Sequence, residues 1–108
     1  MYYIYMLRCK DNSIYTGIAK DLQKRMREHF TKDKSCAKYT LNHGAMKLET
    51  AWITQNKSLA LKLEYHIKTL SKIKKEELIL NNNISELLYP KIDENMYKKI
   101  DVSKVIIY

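Results

Sequence analysis

The residues with the clearest chemical potential begin with two tyrosines on two short apolar runs near the N-terminus, Tyr5 and Tyr15. Downstream the chain adds an arginine, a histidine and a carboxylate, in the order Arg25, His29 and Glu64. A phenol can handle a proton, a guanidinium binds phosphate oxygens in pairs, and one carboxylate can be the only protein ligand of a magnesium ion. These residue types in this order supply the parts of a site that cleaves phosphodiester bonds.

The spacing of the downstream residues places them on inner faces of helices. Arg25 and His29 are four residues apart, so a helix over 21–30 presents them on one face. There the arginine could reach a phosphate held at the sheet, or it could be a surface arginine with a buried stem. Glu64 lies on the apolar stripe of a later helix, where a carboxylate costs free energy unless it binds a cation or pairs with a basic side chain.

The elements that must hold these residues follow from hydrophobic periodicity and turn chemistry. The length of 108 residues indicates one domain. Strands are predicted over 2–9, 14–18 and 47–54; helices over 21–30, from Ser58 to about Leu70, and from Ser71 to 81–83; a polar loop over 31–46; and a β-prone end over 102–108. Cys9 and Cys36 form no close-spaced pair and are expected to be reduced packing residues.

Hairpin register decides whether the two tyrosines can act together. A two-residue turn would turn Tyr15 away from Tyr5, because side chains alternate between the two faces of a sheet. A three-residue loop over 11–13 places Tyr5, Tyr15 and Gly17 on one face, with Gly17 leaving room for a substrate backbone. From the hairpin alone, ordinary sheet aromatics remain the alternative.

Taken together, these stretches resemble the GIY-YIG nuclease superfamily, in particular its short stand-alone bacterial group (YhbQ-like). The resemblance covers roughly residues 2–80. It rests on Tyr2-Tyr3-Ile4-Tyr5-Met6-Leu7-Arg8-Cys9, Tyr15-Thr16-Gly17, Asp21-Leu22-x-x-Arg25-x-x-x-His29, Ala37-Lys38-Tyr39-Thr40 and Glu64. Tyr3 replaces the glycine of the first family triplet and Thr16 the isoleucine of the second, and both changes spare the tyrosines.

The resemblance implies an α+β fold, with a small three-stranded antiparallel sheet flanked by helices. It implies a catalytic domain over 1–80 and a C-terminal extension over 81–108 of unknown role. The catalytic residues it implies are Tyr5, Tyr15, Arg25, His29 and Glu64, with Glu64 holding Mg²⁺ or Mn²⁺ and with Gly17, Lys38 and Tyr39 contacting the substrate.

Charge points to the same class of partner. The net charge is +8, and residues 1–80 hold sixteen Lys and Arg against eight Asp and Glu, whereas residues 81–108 hold four of each. A basic domain is the electrostatic footprint of a polyanion, although a lysine-rich composition alone can also produce it. No apolar run is long enough to cross a bilayer, and early charges exclude a signal peptide, so a cytoplasmic protein is expected.

The sequence therefore predicts a metal-dependent endonuclease that hydrolyses DNA at branched or flapped structures in repair or recombination. DNA is favoured over RNA as the nucleic acid. Because the sequence predicts no added DNA-binding domain, a protein partner could supply specificity. The alternative is a nucleic-acid-binding accessory module that retains the fold and cleaves poorly.

Overall fold

An antiparallel sheet of four strands forms the centre of the fold, with helices against both faces. The computed structural model describes residues 1–105. The strands are β1 (Tyr2–Cys9), β2 (Ile14–Ala19), β3 (Ala45–Thr54) and β4 (Lys98–Lys99), in the spatial order β2-β1-β3-β4. The helices are α1 (Leu22–Phe30), α2 (Lys38–His43), α3 (Lys57–Lys68), α4 (Lys72–Asn81) and α5 (Ile84–Leu88), and two 3₁₀ turns follow at Glu94–Met96 and Val102–Lys104.

The predicted α+β class is confirmed, but the prediction of three strands is wrong. The fourth strand, β4, pairs with β3 through Lys99 opposite Trp52 and Lys98 opposite Ile53. Two lysines carry no strand signal of their own. Their pairing follows from tertiary contacts that hold the chain beside β3, including the hydrogen bond from the Ile100 backbone N–H to the Ala51 carbonyl.

The β1–β2 hairpin places Tyr5, Tyr15 and Gly17 on one face, with a register that differs from the expected one. Tyr5 lies opposite Gly17, and Tyr15 lies opposite Leu7. The loop residues are 10–12 rather than 11–13, because the Cys9 N–H donates to the Ser13 carbonyl at 2.9 Å. The shift moves every pair by two positions, so the faces are unchanged.

Each face of the sheet has its own apolar core. Ile4, Met6 and Trp52 pack against α3, α4 and α5. On the opposite face, Tyr5 and Leu7 pack against α1 in a second cluster. The tyrosine side of the hairpin therefore faces α1, which carries Arg25 and His29.

Side-chain caps fix where three of the helices begin. Asp21 accepts from the Lys24 N–H, Asn56 from the Leu59 N–H, and Ser71 from the Lys74 N–H. Ser71 caps α4, which begins where the sequence predicts, and α1 lies within the predicted range 21–30. The prediction that this helix starts at Ser58 is wrong, because Asn56 accepts from the Leu59 N–H and α3 begins at Lys57.

Two further segments differ from expectation. The polar stretch 31–46 contains the short helix α2, whose first residue follows Ala37 with no side-chain cap. The end predicted to be β-prone, 102–108, forms a 3₁₀ turn at Val102–Lys104, capped by Asp101; residues 106–108 lie outside the described residues.

The C-terminal part of the chain packs on the same sheet as the rest. Ile84, Leu88 and Ile92 join the core formed with α3 and α4. The Tyr97 hydroxyl donates to the Leu59 carbonyl of α3 at 2.7 Å. The structure therefore gives residues 84–105 a packing role. No helix among residues 1–105 is long and apolar enough to span a membrane.

Candidate active site

A buried hydrogen-bonded chain links the first tyrosine to helix α2. The Tyr5 hydroxyl lies 2.7 Å from His29 Nε2, and His29 Nδ1 lies 2.6 Å from Thr40 Oγ1. The Thr40 hydroxyl donates its own proton to the Ala37 carbonyl at 3.0 Å, so it must accept from His29 Nδ1–H. His29 Nε2 is then the acceptor, and the Tyr5 O–H donates to it.

Burial sets the protonation of this chain. The side chains of Tyr5, His29 and Thr40 are 0% exposed. Burial, followed by the nearby Arg25 guanidinium, lowers the pKa of His29 to about 4. Burial, followed by the neighbouring Tyr15 phenol, raises the pKa of Tyr5 above its usual value. Near neutral pH, His29 is therefore a neutral imidazole that bridges Tyr5 and Thr40, and Tyr5 is a protonated hydrogen-bond donor.

The His29 environment predicts acid sensitivity. The unfolded chain protonates this imidazole near 6.5 and the folded chain only near 4. As pH falls from about 6.5 to about 4 the unfolded state binds the proton first, so the free energy of unfolding should drop by up to about 3 kcal/mol. His29→Gln should remove the drop in this window, as measured by urea unfolding across pH.

The control for this prediction is His66→Gln, which changes a half-buried histidine on α3 and should keep the pH dependence. Asp11 and Glu76, whose pKa values are both lowered to about 2 through hydrogen bonds, add their losses at lower pH. An unchanged drop between about 6.5 and about 4 in His29→Gln would assign the effect to other groups.

Gly17 is required by the Tyr5 phenol. A Cβ at Gly17 would lie 2.6 Å from Tyr5 Oη and 2.9 Å from Tyr15 Cε2, which is far inside van der Waals contact. The expected space for a substrate backbone is therefore filled by the tyrosine ring itself. The glycine lets Tyr5 cross β2 and reach His29.

The second tyrosine lies at the centre of an aromatic cluster. The Tyr15 ring centroid is 6.2 Å from Tyr5, 5.6 Å from His29 and 5.6 Å from Tyr39. Tyr39 in turn stacks on His43 at 4.1 Å. Unlike Tyr5, Tyr15 is only partly buried, so it is the phenol of the pair that a substrate can approach.

Helix α3 brings an acid and a base to the outer side of Tyr15. Glu64 Oε2 lies 3.3 Å from Lys68 Nζ, one helical turn away, and the Glu64 side chain is 17% exposed. The Lys68 ammonium lies 5.9 Å from the Tyr15 ring centroid. Glu64 therefore forms the salt bridge that was the alternative to cation binding. Its partner, Lys68, also lies near the Tyr15 ring.

Arg25 lies on the α1 side of the same group. Its Nη1 donates to Glu28 Oε1 at 3.1 Å and to the Ser35 carbonyl at 2.7 Å. The guanidinium acts electrostatically on both Tyr5 and His29. A quarter of its side chain is exposed, so Arg25 can take up a phosphate while it anchors the loop after α1.

The residues present fit a divalent metal ion only with a single protein ligand. Among residues 1–105 there is no group of three or more His, Cys, Asp or Glu side chains arranged to hold an ion. Magnesium keeps several waters and uses one or two protein carboxylates together with substrate phosphates. Glu64 meets that requirement as a single ligand, and the substrate would complete the site.

The remaining expected site residues have separate positions. Lys38 is exposed at the start of α2, and Tyr39 is 37% exposed. Sequence reasoning did not assign Thr40 or Lys68 to the site. Thr40 lies in 37–40, one of the stretches on which the family resemblance rests. Lys68 is four residues after Glu64, so a search for i,i+4 ion pairs would have found it.

Comparison with known proteins places this chain in a family. The GIY-YIG catalytic domain profile matches residues 1–77. A UPF0213 protein of Fusobacterium nucleatum is 49% identical over 78 residues, covering 72% of this chain and 76% of the relative. The UPF0213 protein YhbQ of Salmonella typhimurium is 36% identical over 97 residues, covering 90% and 95%.

One solved structure is also similar. The solution NMR structure of a UPF0213 protein from Bacillus halodurans has 37% sequence identity and a TM-score of 0.49, covering 82% of this chain and 95% of that one. The domain profile covers well over half of the chain and includes Tyr5, Tyr15, Arg25, His29 and Glu64. The chain belongs to the GIY-YIG family, in its short UPF0213 (YhbQ-like) group.

Proposed function

We propose that this protein is a metal-dependent endonuclease that hydrolyses phosphodiester bonds in DNA, at branched or flapped structures in repair or recombination. The observation that supports it best is the position of Tyr15. A partly exposed phenol lies between the buried Tyr5–His29 pair and the Lys68–Glu64 pair. Phenol, guanidinium and a carboxylate for a cation are the groups that hydrolysis of a phosphodiester needs.

In this proposal Tyr15 orients the attacking water and accepts its proton. Tyr15 would act as the phenolate, with the Lys68 ammonium 5.9 Å from its ring centroid. Water forms a new bond to phosphorus while the bond to the leaving oxygen breaks. A metal held by Glu64 would supply charge stabilisation at that leaving oxygen.

Tyr5 and His29 have a supporting role in the proposal. The Tyr5 hydroxyl donates a hydrogen bond to His29, and its side chain has no exposed surface. Tyr5 therefore holds the Tyr15 ring in place rather than binding the water. His29 positions Tyr5, since both ring nitrogens are already engaged. Arg25 stabilises the charge that develops on the phosphoryl oxygens.

The alternative is an accessory module that binds nucleic acid and cleaves poorly. It is favoured by the internal partners of the candidate catalytic groups, since Glu64 pairs with Lys68 and Arg25 with Glu28. Tyr39 also stacks on Tyr15. A substrate phosphate and a metal would have to compete with these contacts.

A substrate panel separates the two functions. We expect the protein with Mg²⁺ to cut flap or junction DNA in preference to single-stranded DNA, duplex DNA and RNA, and to cut nothing in EDTA. Labelled strands resolved on denaturing gels measure the products. Binding to the same substrates without any product, in Mg²⁺ and in Mn²⁺, would establish the accessory module. A preference for RNA would correct the substrate and keep the reaction.

A further inference from the structure

We propose that a lysine ridge at the junction of α3 and α4, formed by Lys68, Lys72 and Lys75, binds the phosphate backbone of the nucleic-acid strand next to the scissile bond. This inference rests on the proposed function for the identity of the ligand. It adds a binding surface on the Glu64 side of the site.

The ridge begins inside the candidate site and leads away from it. Lys68 lies within ion-pair distance of Glu64, at 3.3 Å, and close to the Tyr15 ring. Lys72 follows four residues later, at the first position of α4, and Lys75 lies three residues further along the same helix. A strand whose phosphate sits at Tyr15 would therefore meet these ammonium groups at its neighbouring phosphates.

The ridge has a strong local excess of positive charge. Between Glu64 and Glu76 the chain has four lysines and no acidic residue. Glu76 is bound by both terminal nitrogens of Arg8, each at 2.5 Å, and it pairs with Lys72 at 3.1 Å. Glu76, the acid that pairs with Lys72, is therefore already shared between two cations.

The lysines of the ridge lie close enough to repel each other. Lys75 is partly buried and has no acidic partner among residues 1–105. Burial, followed by the charges of Lys68 and Lys72, lowers the pKa of Lys75. Like charges held close together repel each other, and an anion placed between them relieves the repulsion. A row of phosphates would supply that anion and turn the repulsion into binding free energy.

The chain offers a matched control on the opposite side of the sheet. Lys98 and Lys99 are exposed on β4, which forms one edge of the sheet, whereas β2, which carries Tyr15, forms the other. Substituting two lysines at either place removes the same formal charge. Only a local contact with the bound strand can make the two double variants differ.

The experiment compares Lys72→Gln/Lys75→Gln with Lys98→Gln/Lys99→Gln in the full chain. The probe is fluorescein-labelled flap DNA in EDTA, titrated by anisotropy between about 50 and about 200 mM salt. We expect the ridge variant to bind more weakly, with a salt slope shallower by about 1.8, at about 0.9 for each lost phosphate contact. The β4 variant should keep the wild-type slope, and Lys72→Arg/Lys75→Arg should restore it.

The outcomes separate this inference from the proposed function. Equal slopes for the ridge and β4 variants, with wild-type binding intact, overturn the ridge and leave the nuclease untouched. A wild-type protein that binds but does not cut refutes the nuclease, and the slope comparison still decides the ridge. A wild-type protein that binds none of the DNA overturns both. Thermal melting checks that the variants fold alike.

Discussion

Glu64→Gln should lower the single-turnover rate of DNA cleavage by at least about a hundredfold while leaving DNA binding intact or slightly tighter. Glutamine nearly preserves the shape of the side chain and removes the charge that would hold the metal. Removal of an anion cannot weaken attraction to phosphate. The measurement is cleavage of flap DNA at saturating enzyme with Mg²⁺, beside anisotropy in EDTA.

Stability separates a metal ligand from a salt-bridge acid. The Lys68–Glu64 pair is an i,i+4 contact with a half-exposed lysine, and such pairs contribute about 0.5 kcal/mol or less. The free energy of unfolding of Glu64→Gln should therefore stay near that of the wild type. Glu94→Gln, an exposed glutamate before β4, is the charge-matched control. Wild-type cleavage by Glu64→Gln would leave Glu64 with only its salt bridge and would favour the accessory module.

Helices α1 and α4 were predictable because their signals are local. Asp21 and Ser71 are side-chain caps followed by apolar residues at helical spacing, and each begins the helix that the sequence predicts. The tyrosine face of the hairpin was also predictable, because alternation fixes the face once the loop is known to be odd. The register itself was not, since two three-residue loops satisfy the same alternation.

The missed elements depend on contacts between distant parts of the chain. Helix α2 has six residues, with no side-chain cap, inside a polar stretch, so no local pattern marks it. It is held instead by buried Thr40, which binds His29 on α1. Strand β4 consists of two lysines, and contacts on either side of it hold it beside β3. Thr54 Oγ1–H donates to the Met96 carbonyl, and the Ile100 N–H donates to the Ala51 carbonyl.

In the site, too, local sequence identifies the residues, whereas contacts between distant parts of the chain determine their roles. The sequence indicates which residues can do chemistry, but burial assigns their tasks. Tyr5 was expected to be one of the catalytic residues, yet its side chain is fully buried and hydrogen-bonded to His29. Gly17 was expected to admit substrate, yet the Tyr5 ring occupies that space. Neither assignment can be made without knowing which side chain fills which volume.

Arg25→Ala should lower the single-turnover cleavage rate by about a hundredfold, because a positioned donor to a developing oxyanion contributes about 3 kcal/mol to transition-state stabilisation. Its effect on DNA binding should be modest, since one phosphate contact is lost. Arg25→Lys should recover binding before it recovers rate, because an ammonium supplies the charge without the paired geometry of a guanidinium.

Arg27→Ala is the matched control, since Arg27 lies on the exposed side of the same helix and carries the same charge. It should leave cleavage unchanged. Arg25 also anchors the Ser35 carbonyl, so a purely structural role predicts a loss of thermal stability that parallels the loss of rate. Glu28→Gln tests this directly, because it releases Arg25 from its ion pair and keeps the guanidinium. Arg25 acts at the phosphate if Glu28→Gln cleaves at or above the wild-type rate while Arg25→Ala is folded and inactive. Arg25 has no part in the chemistry if Arg25→Ala and Arg27→Ala cleave equally well.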